Sequence, residues 1–348
     1  MRRAALVATA LVTAACGAGS RAEPAEPAGA AVAWLHRYVQ ADGRVSRLDQ
    51  GGDTVSEGQS YALALALAVH DDATFDRVWT WTREHLQRPD GLFAFHASAT
   101  GVVLDRTPAT DADLVIAWAL LRKGDPAGRR VADAVRRFET VAVGSRRVLA
   151  AGPWATGQPA TLNPSYWAFP VLRNLALLQP RAGWDRLADD ASAVLAALPE
   201  SLPPDWARAD GARVRAEPSP DGVHPTQYGP DAQRVTAWSA WSCTPVDRAA
   251  AARASRVSTR PVLASDLTGR QLQPQMAPLA AVAGAAAQQA AGSGPVRIGR
   301  GHSGSGCGGA LPDLLRRRLG GPGCRAYEAL SVLTSPALQG AGPPRLSS

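Results

Sequence analysis

Asp53-Thr54-Val55-Ser56-Glu57-Gly58-Gln59-Ser60-Tyr61 runs straight into the apolar stretch Ala62-Leu63-Ala64-Leu65-Ala66-Leu67-Ala68-Val69. Alanine and leucine are strong helix formers, so this run predicts a helix despite its two-residue alternation. It is apolar nearly all round, the mark of a helix buried on most sides. One ionisable side chain, Glu57, stands at its mouth beside Gly58, which lets another group approach the backbone. Taken alone, Thr54 to Glu57 fits a capping box, with Glu57 reaching back to the Thr54 amide. The rest of the chain argues for more, because acids recur in the first turns of other buried helices.

Ala31 to Gln40 reads as a helix before this one, and Asp71-Asp72 caps the next, which carries Phe75, Val78, Trp79, Thr82 and Leu86 on one face. Leu92 to Phe95 is a short extended piece. A fourth helix opens Thr110-Asp111-Ala112-Asp113, with Asp113 as a capping acid at N3, and stops at Gly124. The fifth carries Val131, Val135 and Phe138. Asn163 caps a sixth with Pro164 in its first position, and Pro170 kinks or splits it. Trp184 to Leu198 is a seventh and Asp231 to Trp241 an eighth. No segment alternates long enough to be a sustained strand, so the class is all-α. Helices starting near Glu57, Asp111, Asn163 and Asp231 are apolar all round or rich in small residues, and those between are amphipathic. An inner ring wrapped by an outer ring, a barrel of helical hairpins, requires that alternation. Long loops precede the inner helices, so their N-termini gather at one end with Glu57, Asp111 and Asp231 on one cleft.

The chain has 348 residues, 46% apolar with ten Trp, enough for a large core. Met1-Arg2-Arg3 followed by Ala4 to Ala15 reads as a signal peptide (1–22), which predicts a secreted or periplasmic protein. Cys16-Gly17 marks a lipid anchor as the one membrane attachment to consider. Residues 23–30 read as a linker and 31–243 as the catalytic domain. Residues 244–348 read as a basic tail rich in Ala, Gly, Pro and Arg. That tail holds twelve Arg and no Lys against four acids, so the net charge of +7 resides there and gives no argument for nucleic-acid binding. All ten Trp lie at or before Trp241, and an out-of-frame reading of a GC-rich gene would account for the change in composition. The cysteines and six histidines lack metal-ligand spacing, so neither metal nor cofactor is expected. There is no GxSxG, and no Gly-rich phosphate loop follows a strand.

Two carboxyls across a cleft, flanked by aromatics, are the apparatus of glycoside hydrolysis. One must hold a proton for the leaving oxygen while the other is ionised. Burial beside a like charge favours the protonated form, which makes Glu57, with Asp111 near, the better candidate acid and Asp231 the base. Arg234, one turn on, would hold Asp231 ionised and oriented, although a plain surface pair has the same spacing. Among the aromatics, Tyr166 and Tyr228 lie nearest the helix mouths and are the candidates for stacking on sugar rings.

Ser56-Glu57-Gly58-Gln59-Ser60-Tyr61, Ala109 to Ala117, Asn163-Pro164-Ser165-Tyr166 and Asp231 to Val235 resemble, in order, the motifs of glycoside hydrolase family 8. Gly91 to Phe95 is also similar, with Phe95 where Trp is usual, and Pro230 replaces the usual Tyr before the base. The resemblance implies an (α/α)6 barrel, Glu57 as general acid, Asp231 as base and Asp111 binding sugar hydroxyls beside the scissile bond. It also implies inversion at a carboxyl separation of roughly 6.5–9.5 Å. The expected activity is an endo-β-1,4-glucanase, monomeric, acting on β-glucan. Chitosanase or xylanase activity and a vestigial glycan-binding protein are the alternatives. Eight helices are read where twelve are expected, so the barrel is expected to be incomplete or irregular after about residue 243.

Overall fold

The computed structural model describes residues 27–257 and 261–292. The signal-peptide and Cys16 readings, Cys307 and Cys324 lie outside the described residues, as does the chain after 292. Ten α-helices occupy the described chain: α1 (Pro27–Tyr38), α2 (Ser56–Ala68), α3 (Asp72–His85), α4 (Thr110–Lys123), α5 (Ala127–Phe138), α6 (Phe169–Leu178), α7 (Trp184–Ala197), α8 (Pro230–Trp241), α9 (Pro245–Ala254) and α10 (Pro278–Ala290). None of the described helices is long and apolar enough to cross a membrane.

Even-numbered helices form the inner ring, with α2 packed on α4, α4 on α6, α6 on α8 and α8 on α10. Each carries an outer helix, so the fold is all-α and follows the (α/α)6 barrel plan, with five outer–inner pairs among the described residues. Burial follows this arrangement. In α4 every residue from Thr110 to Leu120 is buried, whereas α5 buries Val131 and Val135 and exposes Arg129, Arg130 and Arg136. Full burial demands close approach, and Gly128 supplies it, since a Cβ there would lie 2.6 Å from the Leu121 amide nitrogen. Asp71 caps α3 as read, accepting from the Thr74 N–H at 3.0 Å.

Connections from inner to outer helices are short, while those from outer to inner helices are long and carry the strands. β1 (Thr54–Val55), β2 (His96–Ala97) and β3 (Val103–Asp105) form one antiparallel ribbon, and β4 (Thr140–Val143) pairs with β5 (Arg146–Leu149). β6 (Ala160–Leu162), β7 (Trp206–Asp210) and β8 (Arg213–Glu217) form a third. β9 (Val262–Ser265) and β10 (Gln271–Met276) form a fourth. These ribbons have two to six residues per strand, too short for alternation to register in sequence.

Two boundaries differ from the sequence reading. α1 begins at Pro27, inside the stretch read as linker. The tail read from residue 244 begins instead with α9, the β9–β10 ribbon and α10, so ordered structure continues to residue 292. What fastens α9 is a buried ion pair. Asp247, with a side chain 0% exposed, accepts from Arg173 of α6 at 2.9 and 2.7 Å, from Ser192 of α7 at 2.7 Å and from Ser242 at 2.5 Å. α10 buries Leu279, Ala280, Ala283, Ala286 and Ala287 at helical spacing. Small residues suffice for such an interface, which is why the absence of aromatics misleads.

Candidate active site

Glu57 lies in the first turn of α2, but the capping-box reading fails. Val55 occupies the N-cap without a side-chain bond, and the Thr54 hydroxyl donates to the Val45 carbonyl at 2.9 Å. The Ser56 amide donates to the Phe95 carbonyl at 2.8 Å, and the Glu57 carboxylate accepts from Arg234 of α8. Gln59, fully buried, fixes the turn: its Oε1 accepts from the Val45 N–H at 2.6 Å and its Nε2 donates to Thr82 at 2.8 Å. Asp111 occupies the corresponding position on α4 and Asp231 on α8.

Arg234 joins all three. Its Nη1 donates to Glu57 Oε1 at 3.0 Å and to the Tyr61 hydroxyl at 2.9 Å, and lies 3.6 Å from Asp111. Its Nη2 donates to Asp231 Oδ1 at 2.5 Å and to the Ser165 hydroxyl at 3.2 Å. With its side chain only 12% exposed, this is no surface i,i+3 pair. The other Asp231 oxygen accepts from Asn163 Nδ2 at 2.7 Å. Asn163 also orders the turn that follows it, accepting from the Ser165 amide at 3.0 Å. That turn (residues 164–166) is 3-10 rather than the start of α6, which begins only at Phe169 with Pro170 behind it.

Burial, then the charge of Glu57 and a hydrogen bond to it, pushes the Asp111 carboxyl well above its usual range, with Arg234 opposing. Burial thus drives the Asp111 carboxyl toward its protonated form. The arrangement brings three carboxyl groups to one mouth, with Glu57 and Asp231 held apart by a guanidinium. This is the equipment for donating a proton on one wall and accepting one on the other.

Tyr166 is buried beside the group: burial first, then the charges of Asp111, Glu57 and Asp231, push its hydroxyl up, and its ring meets Trp206 edge-on. Tyr228 does not belong to it. Its ring packs with Leu202, Ala232 and Ala254, and its hydroxyl donates to Thr236 at 3.1 Å, so no face is free to stack on a sugar. Asp113 is likewise not a capping acid. It accepts from the Phe93 amide at 2.9 Å and shares a buried carboxyl pair with Glu139. Burial pushes Asp113 up to about 8, and Glu139 is raised by burial and by the Asp113 charge. His96 binds Asp53 at 2.7 Å on the rim. Among the described residues no cluster of three His, Cys, Asp or Glu is placed to hold a metal. Tyr61, Asn163 and Ser165 complete the site; their signal was their place inside the motifs, where they read as helix starts.

Comparison with known proteins follows the same lines. The model for Glycosyl hydrolases family 8 matches residues 4–259. An endoglucanase of Xanthomonas axonopodis pv. citri is 34% identical over 233 residues, 60% of this chain and 58% of that protein. An endoglucanase of Cellulomonas uda is 31% identical over 232 residues, 59% of this chain and 65% of that one. The chain thus spans about three fifths of the length of these relatives. The solved endo-beta-1,4-glucanase CMCax of Acetobacter xylinum superposes with a TM-score of 0.66 at 26% identity, covering 90% of this chain and 98% of that one. With the family model spanning most of the sequence and the site residues gathered at one barrel mouth, this chain belongs to glycosyl hydrolases family 8.

Proposed function

We propose that the chain is an endo-β-1,4-glucanase that cleaves β-glucan by single displacement with inversion, acting as a monomer. One observation carries the reading: Arg234 bridges Glu57 and Asp231 from between them, at 3.0 and 2.5 Å, at the mouth where the inner helices begin. In this mechanism Glu57 gives its proton to the leaving glycosidic oxygen. Asp231, held by Arg234 and Asn163, takes a proton from water attacking the opposite face of the sugar. The relatives named endoglucanase support β-1,4-linked glucan as the substrate.

Hydrolysis of carboxymethylcellulose tests this, with proton NMR of the first product formed. The wild-type protein releases the α-anomer. Glu57→Gln and Asp231→Asn each lose roughly 10²–10⁴-fold in kcat, the usual contribution of a general acid or base, while melting like the wild type. Binding of cello-oligosaccharide without cleavage, or release of the β-anomer first, refutes the proposal. Faster turnover of xylan or chitosan would keep the mechanism and change the sugar.

A further inference from the structure

Asp205 lies between α7 and β7, remote in sequence from the motifs, yet its carboxylate is built into the first turn of α8. Its Oδ1 accepts from the Gly229 amide at 3.0 Å and from the Ala232 amide at 2.7 Å, the residues that bracket Pro230 and Asp231. Its Oδ2 accepts from Gln227 Nε2 at 2.9 Å, and its own amide donates to the Gln227 carbonyl at 2.9 Å. Three donors converge on a side chain in a residue only 6% exposed. The cradle is shaped for it, because a Cβ on Gly229 would sit 2.3 Å from Asp205 Oδ2. The next residue, Trp206, sets its indole edge-on to Tyr166, so one short segment braces both sides of the Asp231 wall.

We infer that Asp205 is a positioning residue for Asp231: it fixes the α8 first turn so that Asp231 meets Asn163 and Arg234. The inference rests on the reading of Asp231 as the base. Burial, then the charge of Asp231, pushes Asp205 up to about 7. The other titratable group facing it is Tyr228, whose hydroxyl is pushed up to about 12 by burial, with the Asp205 charge adding to the rise.

The test compares Asp205→Asn, Asp205→Ala and Gly229→Ala. Asparagine keeps an oxygen for the two backbone amides. A turn of the Gln227 amide, whose Oε1 has no partner, satisfies the new NH₂ group. Asp205→Asn should therefore keep its melting temperature and KM. Its kcat should likewise stay close to that of the wild type, since the bonds that hold the turn are all kept. Asp205→Ala and Gly229→Ala release the turn by independent routes, and each should lose roughly 10²-fold in kcat, the scale of a misplacement near 1 Å. The Asn163 side-chain amide resonances, which report its bond to Asp231 without any substrate, should hold in Asp205→Asn and move in the other two. The inference is overturned by a kcat loss in Asp205→Asn as large as that in Asp205→Ala, by unmoved Asn163 resonances in Asp205→Ala, or by losses that merely track the unfolded fraction. A wild-type protein that cleaves no β-glucan sinks the hydrolase reading instead, and the Asn163 resonances still decide the role of Asp205.

Discussion

Replacing Asp247 with alanine asks whether the chain after Trp241 belongs to the folded barrel. The side chain is fully buried and takes two hydrogen bonds from Arg173 together with the hydroxyls of Ser192 and Ser242, so α6, α7 and α9 meet on one carboxylate. Removing one partner of a buried pair costs about 3–5 kcal/mol, because the other charge is left uncompensated. Arg173 is 20% exposed and keeps Asp189 at 2.7 Å, which puts the loss at the low end, about 3 kcal/mol. For a domain of this size that lowers the melting temperature by roughly 6–12 °C at pH 7. Acid offers a second reading of the same contact. Burial raises the Asp247 carboxyl, but its bonds from Arg173, Ser242, Thr244 and Ser192 outweigh that and leave it below the usual range. A depressed carboxyl stabilises above its unfolded value, near pH 4, and that stability is lost as pH falls through the folded one. The gap between wild type and Asp247→Ala, followed by calorimetry, should therefore narrow at pH 3. A drop below about 2 °C at pH 7, or a gap indifferent to acid, would refute the docking of α9 through this pair.

Two further outcomes test the packing around the site. Asp113→Asn keeps the acceptor for the Phe93 amide and removes an ionisation that burial pushes up to about 8. A raised carboxyl contributes stability below its unfolded value, near pH 4, which is lost as pH rises through about 8. The melting temperature of the variant relative to wild type should thus climb between pH 5 and pH 9; a constant difference contradicts the buried pair with Glu139. Gly128→Ala sets helix propensity against space. Alanine gains about 1 kcal/mol in a helix, but a Cβ 2.6 Å from the Leu121 backbone nitrogen forces α4 and α5 apart, an overpacking cost of about 1–3 kcal/mol. The variant should melt lower, and a higher melting point would show that the hairpin is looser than it looks.

The sequence carried the inner–outer alternation and the three acids because those signals are local: a run of small apolar residues, an acid in the first turn, a long loop before it. Signals that depend on distant partners stayed silent. Nothing around Asp205 announces that its carboxylate serves α8, and nothing around Glu139 announces Asp113. Tyr228 stood near a helix mouth in sequence, yet its hydroxyl found Thr236 in the second turn of α8 and its ring lies buried. α9 and α10 were lost to composition, although α10 spaces its buried residues as regularly as α7. Arg234 shows both halves of this lesson. Its link to Asp231 was readable at i,i+3, whereas its bond to Glu57 spans 177 positions and was not.

That span bears on how the protein comes to work at all. The chain winds round the ring in order, so three further hairpins separate Glu57 on α2 from Asp231 on α8. No sub-assembly of the ring holds both walls, and a nascent or clipped chain should show no graded activity, only none until the circuit from α2 to α8 is complete.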